Sequence, residues 1–199
     1  YYQQLKDNIE ATNLRCHDIK HQLARLREKV QSPSDGLLSE LEQSINIYDS
    51  FAKTGNEPLD IVLTEKGMIC QREGIQFTYL VDAERICVLS DKEIYSLFGN
   101  ALDNAIEAVR KVKDPEKRVI NLSVAPYGPV LIIQLHNYFD DTLSFKDGLP
   151  ETTKQDKLIH GYGMKTIRMI AEKHDGAVLV SAPSDIFELS ISIPLLQED

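Results

Sequence analysis

The feature that most constrains this chain is a change of hydrophobic period at Thr54-Gly55-Asn56-Glu57-Pro58. Before it, Leu5, Ile9, Thr12, Cys16, Ile19, Leu23, Leu26 and Val30 recur at alternating spacings of four and three. That is a heptad seam with one polar member. Turn chemistry at Ser32-Pro33-Ser34-Asp35-Gly36 breaks this helix, and Leu38, Leu41, Ile45, Tyr48 and Ala52 resume the same alternation. Such a seam is narrower than the apolar stripe of an ordinary globular helix. It predicts an antiparallel helical hairpin over residues 1–53. Two narrow-seamed helices bury little alone, so a second copy completing a four-helix bundle is expected.

Beyond the break the grammar is mixed. Residues 54–60 read as a linker and residues 61–199 as a second domain. Residues 60–72 carry a helical pattern. IQFTYLV at 75–81 alternates and is rich in strand formers, and Asp91 opens a long helix to about Lys113. Val119–Ala125 and Val130–His136 read as strands about the turn Pro126-Tyr127-Gly128-Pro129. A polar stretch at 138–160 precedes a helix from Met164 to Lys173, and strands at Ala177–Ser181 and Ile186–Ile193 close the chain. This order predicts an α+β fold, a two-layer α/β sandwich.

Lys+Arg 22 against Asp+Glu 31 gives a formal net charge of −9, which speaks against nucleic acid as the main partner. Cys16, Cys70 and Cys87 are an odd set without metal-type spacing and are expected as free thiols in a reducing compartment. No apolar run is long enough to span a bilayer. The chain opens in helical register and without Met, as expected of the cytoplasmic piece of a longer protein, with any membrane segment upstream.

Three stretches hold residues suited to chemistry. In NALDNAIEA (100–108), Asn100 and Asn104 share one helix face, opposite Ile94, Leu97, Ala101, Ala105 and Val112. Carboxamides offer oxygen to a hard cation such as Mg²⁺ and donors to phosphate. A solvated polar face explains the same pattern. In HGYGMKTI (160–167), two glycines open a helix. They suit either close approach of an anion to backbone N–H groups or a junction that needs glycine for its dihedrals. The long loop before it carries Thr152-Thr153-Lys154 and reads as a lid with a mobile cation or as a plain insertion. In CHDIKHQLARL (16–26), His17 and His21 stand four apart and point off the seam, so both are accessible. By themselves they fit a solvated face; zinc would need further ligands that no spacing supplies.

Together these stretches resemble the cytoplasmic kinase core of bacterial sensor histidine kinases with a GHKL-type ATP-binding domain, in the branch of peptide-pheromone sensors. CHDIKHQL matches the phosphoacceptor box, TGNEPLD the linker, LFGNALDNAIEA the asparagine box, and GLPETTK with HGYGMKTI the lid and glycine box. The resemblance implies an ATP- and Mg²⁺-dependent homodimeric kinase that phosphorylates its own His17 and passes the group to an aspartate of a response-regulator receiver domain. It makes Asp18 the general base or tautomer holder, Asn104 the Mg²⁺ ligand, and Asn100, Lys154, His160, Gly161 and Gly163 nucleotide contacts.

The sequence also departs from the family pattern. No Asp-x-Gly-x-Gly follows the strand LIIQLHN; Asn137 stands where that Asp would meet adenine, and its amide oxygen can accept from an exocyclic amine. His21 replaces a residue linked in other branches to dephosphorylating the partner. Two alternatives remain in view: a degenerate kinase serving as a nucleotide-binding dimeric scaffold, and a GHKL ATPase. In the latter a Glu one turn before the metal-binding Asn activates water; here that position is Asn100.

Overall fold

The computed structural model describes residues 52–83, 86–140, 145–146, 149–150 and 162–195. The chain divides into two compact units, Tyr1–Ala52 and Lys53–Asp199. The expected hairpin, with His17 and Asp18, lies outside the described residues. The second unit begins with helix α1, Glu57–Arg72. It starts three residues before the sequence pattern suggests, because Asn56 caps it: Asn56 Oδ1 accepts from the Leu59 N–H at 3.0 Å. Thr54 adds its N–H and hydroxyl to the Asp60 carboxylate, both at 2.7 Å. Residues expected as linker are therefore the capped entrance to a helix.

Strand β1, Gln76–Val81, leads into α2, Asp91–Arg110. Strands β2, Val119–Tyr127, and β3, Val130–Tyr138, form a hairpin. Gly128 stands at φ +58 directly before Pro129 in its two-residue loop, as a type II′ connection requires. Within the polar stretch, two-residue strands β4, Phe145–Lys146, and β5, Leu149–Pro150, pair with each other. Helix α3, Tyr162–Lys173, is followed by β6, Ala177–Ser181, and β7, Ile186–Pro194.

The main sheet runs β1-β2-β3-β7-β6. All its pairs are antiparallel except β1 with β2, which α2 joins as a crossover. Period-two burial sets its faces. Ile120, Leu122 and Val124 of β2, Leu131, Ile133 and Leu135 of β3, and Leu189, Ile191 and Ile193 of β7 all point into the core. The helices cover that single face, giving the two-layer sandwich expected from the sequence.

Two helix ends are closed by Schellman geometry. After α1, Gly74 takes φ +66, and Ile75 N–H reaches the Cys70 carbonyl at 2.9 Å. After α3 the left-handed position falls on Asp175, φ +54, and Gly176 N–H reaches the Ala171 carbonyl at 2.8 Å. Gly176 is glycine for a different reason: a Cβ there would lie 2.2 Å from the backbone oxygen of Ser192 on β7.

Gly176→Ala is expected to lower stability by about 2–3 kcal/mol, as forced overpacking against backbone does. Gly99, inside α2 with nothing within 4 Å of an added Cβ, is the control. Gly99→Ala is expected to raise stability by about 0.5–1 kcal/mol. Urea unfolding of both variants checks the pair.

Candidate functional site

Helix α2 is amphipathic, and its two sides have separate tasks. Ile94, Leu97, Phe98, Ala101, Leu102, Ala105, Ile106 and Val109 are buried, and Val112, the last apolar position read from the sequence, is buried just past the helix end. Asn100 is half-buried, and its Nδ2 donates to the Ser96 carbonyl at 2.5 Å. Its Oδ1 is thereby turned away from its own helix. Asn104, a turn later, is exposed.

Gly163, the second residue of α3, sits directly against both carboxamides. A Cβ on Gly163 would lie 3.0 Å from Asn100 Oδ1, and 3.5 and 3.6 Å from Asn104 Nδ2 and Oδ1. Gly163 is not among the glycines at positive φ. Its small size, not its dihedral freedom, is what the position demands. The first turn of a helix also leaves N–H groups without intrahelical acceptors. Two carboxamides and a helix N-terminus therefore converge in a cradle that an alanine methyl would begin to fill. This donor set fits a phosphate and a hard cation together.

Asn137 lies near the C-terminal end of β3, on the core face of the sheet, and is only 3% exposed. Its Nδ2 donates to the Tyr138 carbonyl at 2.9 Å, which leaves the acceptor Oδ1 and a second Nδ2 hydrogen. Burial of an amide here, where the pattern alternates apolar residues, is consistent with a polar partner group.

Ion pairs fix α2 at three heights. Glu93, in its first turn, uses both carboxylate oxygens. Oε2 accepts from the Ser90 N–H at 2.9 Å and hydroxyl at 2.7 Å, a capping box. Oε1 meets Lys173 Nζ at 2.7 Å and His174 Nε2 at 3.2 Å, at the far end of α3. Burial opposes the charge of Glu93, but the hydrogen bonds from Lys173, Ser90 and His174 prevail and hold its carboxyl at about 2. Further along, Asp103 pairs with Lys66 of α1 at 2.8 Å. Burial would lower the Lys66 ammonium, yet the Asp103 hydrogen bond and charge keep it above the ordinary lysine range. Arg110 makes a two-pronged bond to Glu73, 2.5 Å on each prong.

Of the residues singled out in the sequence, Asn100, Asn104 and Gly163 come together. Asn137 is placed on the sheet beneath the helices. His17, Asp18, Lys154, His160 and Gly161 lie outside the described residues. Glu93, Lys173 and His174 were not legible as a unit, because 80 residues separate Glu93 from Lys173. The Ser90-x-x-Glu93 capping signature was the available signal. Among the described residues, no group of three or more His, Cys, Asp or Glu side chains could hold a metal. No described helix is long and apolar enough to cross a membrane. Cys70 is buried, and burial together with Glu73 pushes its thiol up to about 11.

A family model described as GHKL domain matches residues 89–194, from the approach to α2 to the end of β7. The chain belongs to the GHKL domain family. No curated protein matches it. Among solved structures, this GHKL chain is similar to the catalytic domain of histidine kinase ThkA. One crystal form is 19% identical, with TM-score 0.53, covering 70% of this chain and 91% of that one. Another is 18% identical, with TM-score 0.51, covering 71% and 92%. Acinetobacter baumannii histidine kinase AdeS is 12% identical over 91% of this chain and 95% of its own, at TM-score 0.47. At such identities the ThkA likeness establishes the fold of the GHKL unit.

The Glu93 carboxyl sits below its ordinary 4.5 when folded. Its contribution is therefore complete above about pH 4.5 and is lost as pH falls toward 2. The contribution is on the order of 3 kcal/mol. Glu93→Gln is expected to lower stability at pH 7 and to flatten the fall in stability between pH 4.5 and 2. Urea melts across that range measure the slope.

Proposed function

We propose that this GHKL chain is the core of an ATP-dependent protein-histidine kinase. The single observation carrying the reading is the convergence of Asn100, Asn104 and Gly163. One glycine is held where only a glycine fits without displacing a carboxamide. Phosphoryl transfer is mainly positioning and charge neutralisation, which amides, helix-end N–H groups and a cation can serve.

When bound, Mg·ATP supplies the γ-phosphoryl group and a divalent charge to neutralise it. The chain's residues do the holding. Asn104 Oδ1 is the hard-oxygen ligand for the metal. Asn100, oriented by Ser96, and the N–H groups of the first turn of α3 receive phosphate oxygens. Asn137 Oδ1 accepts from the exocyclic amine of the base, and Lys154, His160 and Gly161 close over the phosphates. In the N-terminal hairpin, His17 offers a neutral ring nitrogen as nucleophile. Asp18 holds the ring's other nitrogen in the donor tautomer or takes its proton. The partners are a second copy through that hairpin and a receiver domain whose aspartate takes the group from His17. The cytoplasm is where both would be met.

Asn100 speaks against a water-activating ATPase. A carboxamide is not a base, and its Nδ2 is already committed to the Ser96 carbonyl.

Incubation with γ-labelled ATP and Mg²⁺ is expected to give label that is stable in alkali and lost in acid. It should be absent from His17→Gln and reduced at least tenfold in Asn104→Ala. Nucleotide binding without any label would favour the scaffold. Unchanged affinity and turnover in Asn104→Ala would remove that residue from the metal site.

A further inference from the structure

Helices α2 and α3 run antiparallel, and the residues joining them fall on one line along each. On α2, Glu93, Asn100 and Asn104 are seven and eleven residues apart, which returns each to within about 20° of the same meridian at 100° per residue. Leu97, buried, sits beside that line. On α3 and its cap, Gly163, Ile170 and His174 share a line by the same count, with buried Ile167 beside it. Gly163 meets Asn100 and Asn104 at one end. Lys173 and His174 meet Glu93 at the other. Along α3 the two polar ends stand about 15 Å apart, ten to eleven residues at 1.5 Å each, with apolar side chains between.

An apolar seam resists separation of two helices but resists sliding less. Burial is roughly proportional to area and carries little directional preference. Directional bonds are what fix lengthwise position. Here the Glu93 carboxylate bonds both Lys173 of α3 and His174 of its cap. It is itself anchored by the Ser90 cap. A slip of one residue would carry a side chain, Tyr162 or Met164, toward the place where even a methyl group crowds Asn100 Oδ1 at 3.0 Å.

We infer that Glu93, through Lys173 and His174, is the positioning residue of the nucleotide site. It sets the register of α3 on α2 so that Gly163 stays against Asn100 and Asn104. This rests on the reading of that cradle as the phosphate and metal site. Glu93 touches no nucleotide; it acts through α3.

Lys173 is exposed, with 68% of its side chain in solvent, so its substitution leaves the core intact. The test compares the whole chain with Lys173→Met, with Lys173→Met combined with His174→Gln, and with Lys173→Arg, all well below their melting temperatures. Mg·ATP affinity is expected to fall three- to tenfold in the double variant, less in Lys173→Met, and to recover in Lys173→Arg. Without nucleotide, the Gly163 backbone amide and Asn100 side-chain amide resonances are expected to move in the double variant, about 15 Å from the substitutions. A lowered melting temperature with unchanged affinity and unmoved resonances would make the cluster merely structural and overturn the inference. Resonances that move without any change in affinity would also overturn it. A wild-type chain that fails to bind Mg·ATP would overturn the reading of the cradle, and the inference with it.

Discussion

The architecture depends on burying one side of α2. Its apolar residues, from Ile94 to Val109, press onto the core face of the sheet, and that burial is the dominant favourable term at this junction. Helical geometry then leaves no freedom in where the other residues point. With Phe98, Leu102 and Val109 buried on one side of the helix, Asn100 and Asn104 lie on the other, against Gly163 of α3. The site is in this sense a by-product of the core, placed by the same packing that stabilises the fold. Ion pairs to Lys66, Glu73 and Lys173 hold α2 against sliding and rolling.

Glycine serves opposite purposes at the two ends of α3. At Gly163 it makes room for side-chain amides, and at Gly176 for a backbone oxygen of the neighbouring strand. Neither position needs the left-handed region. The left-handed residue of the α3 cap is Asp175, a residue type that tolerates αL better than most. Glycine spacing around α3 therefore records close approaches, one to the candidate ligand cradle and one to the sheet.

Much of this was legible in the sequence, for identifiable reasons. The α2 stripe, the hairpin about Gly128-Pro129 and the strand positions follow from local period and turn chemistry, which a linear pattern carries. The boundaries of α1 and α3 were less so: Asn56 and Tyr162 begin their helices earlier than the apolar pattern does. Strand order, with the one parallel pairing between β1 and β2, is non-local, and so is the bond from Glu93 to Lys173 and His174. Asn100 and Asn104 were readable as a pair on a helix. That Gly163 would complete them needed the fold, because nothing in the spacing of residues 100 and 163 indicates contact. The family pattern supplied that juxtaposition as an expectation, and the coordinates place the three residues together.

The close approach at Gly176 has a mechanical consequence. With its following glycine close against the Ser192 carbonyl, its cap formed at Asp175 and its last residues bonded to Glu93, the C-terminal end of α3 is held from several sides. A rigid rod of 12 residues fixed at one end behaves as a lever. Any tilt of α3 leaves Gly176 still and displaces the opposite end most, and that end is the first turn bearing Gly163. A small change of angle at the pinned end thus becomes ångströms at the cradle, so the stiffest point of the helix governs the travel of its most consequential one.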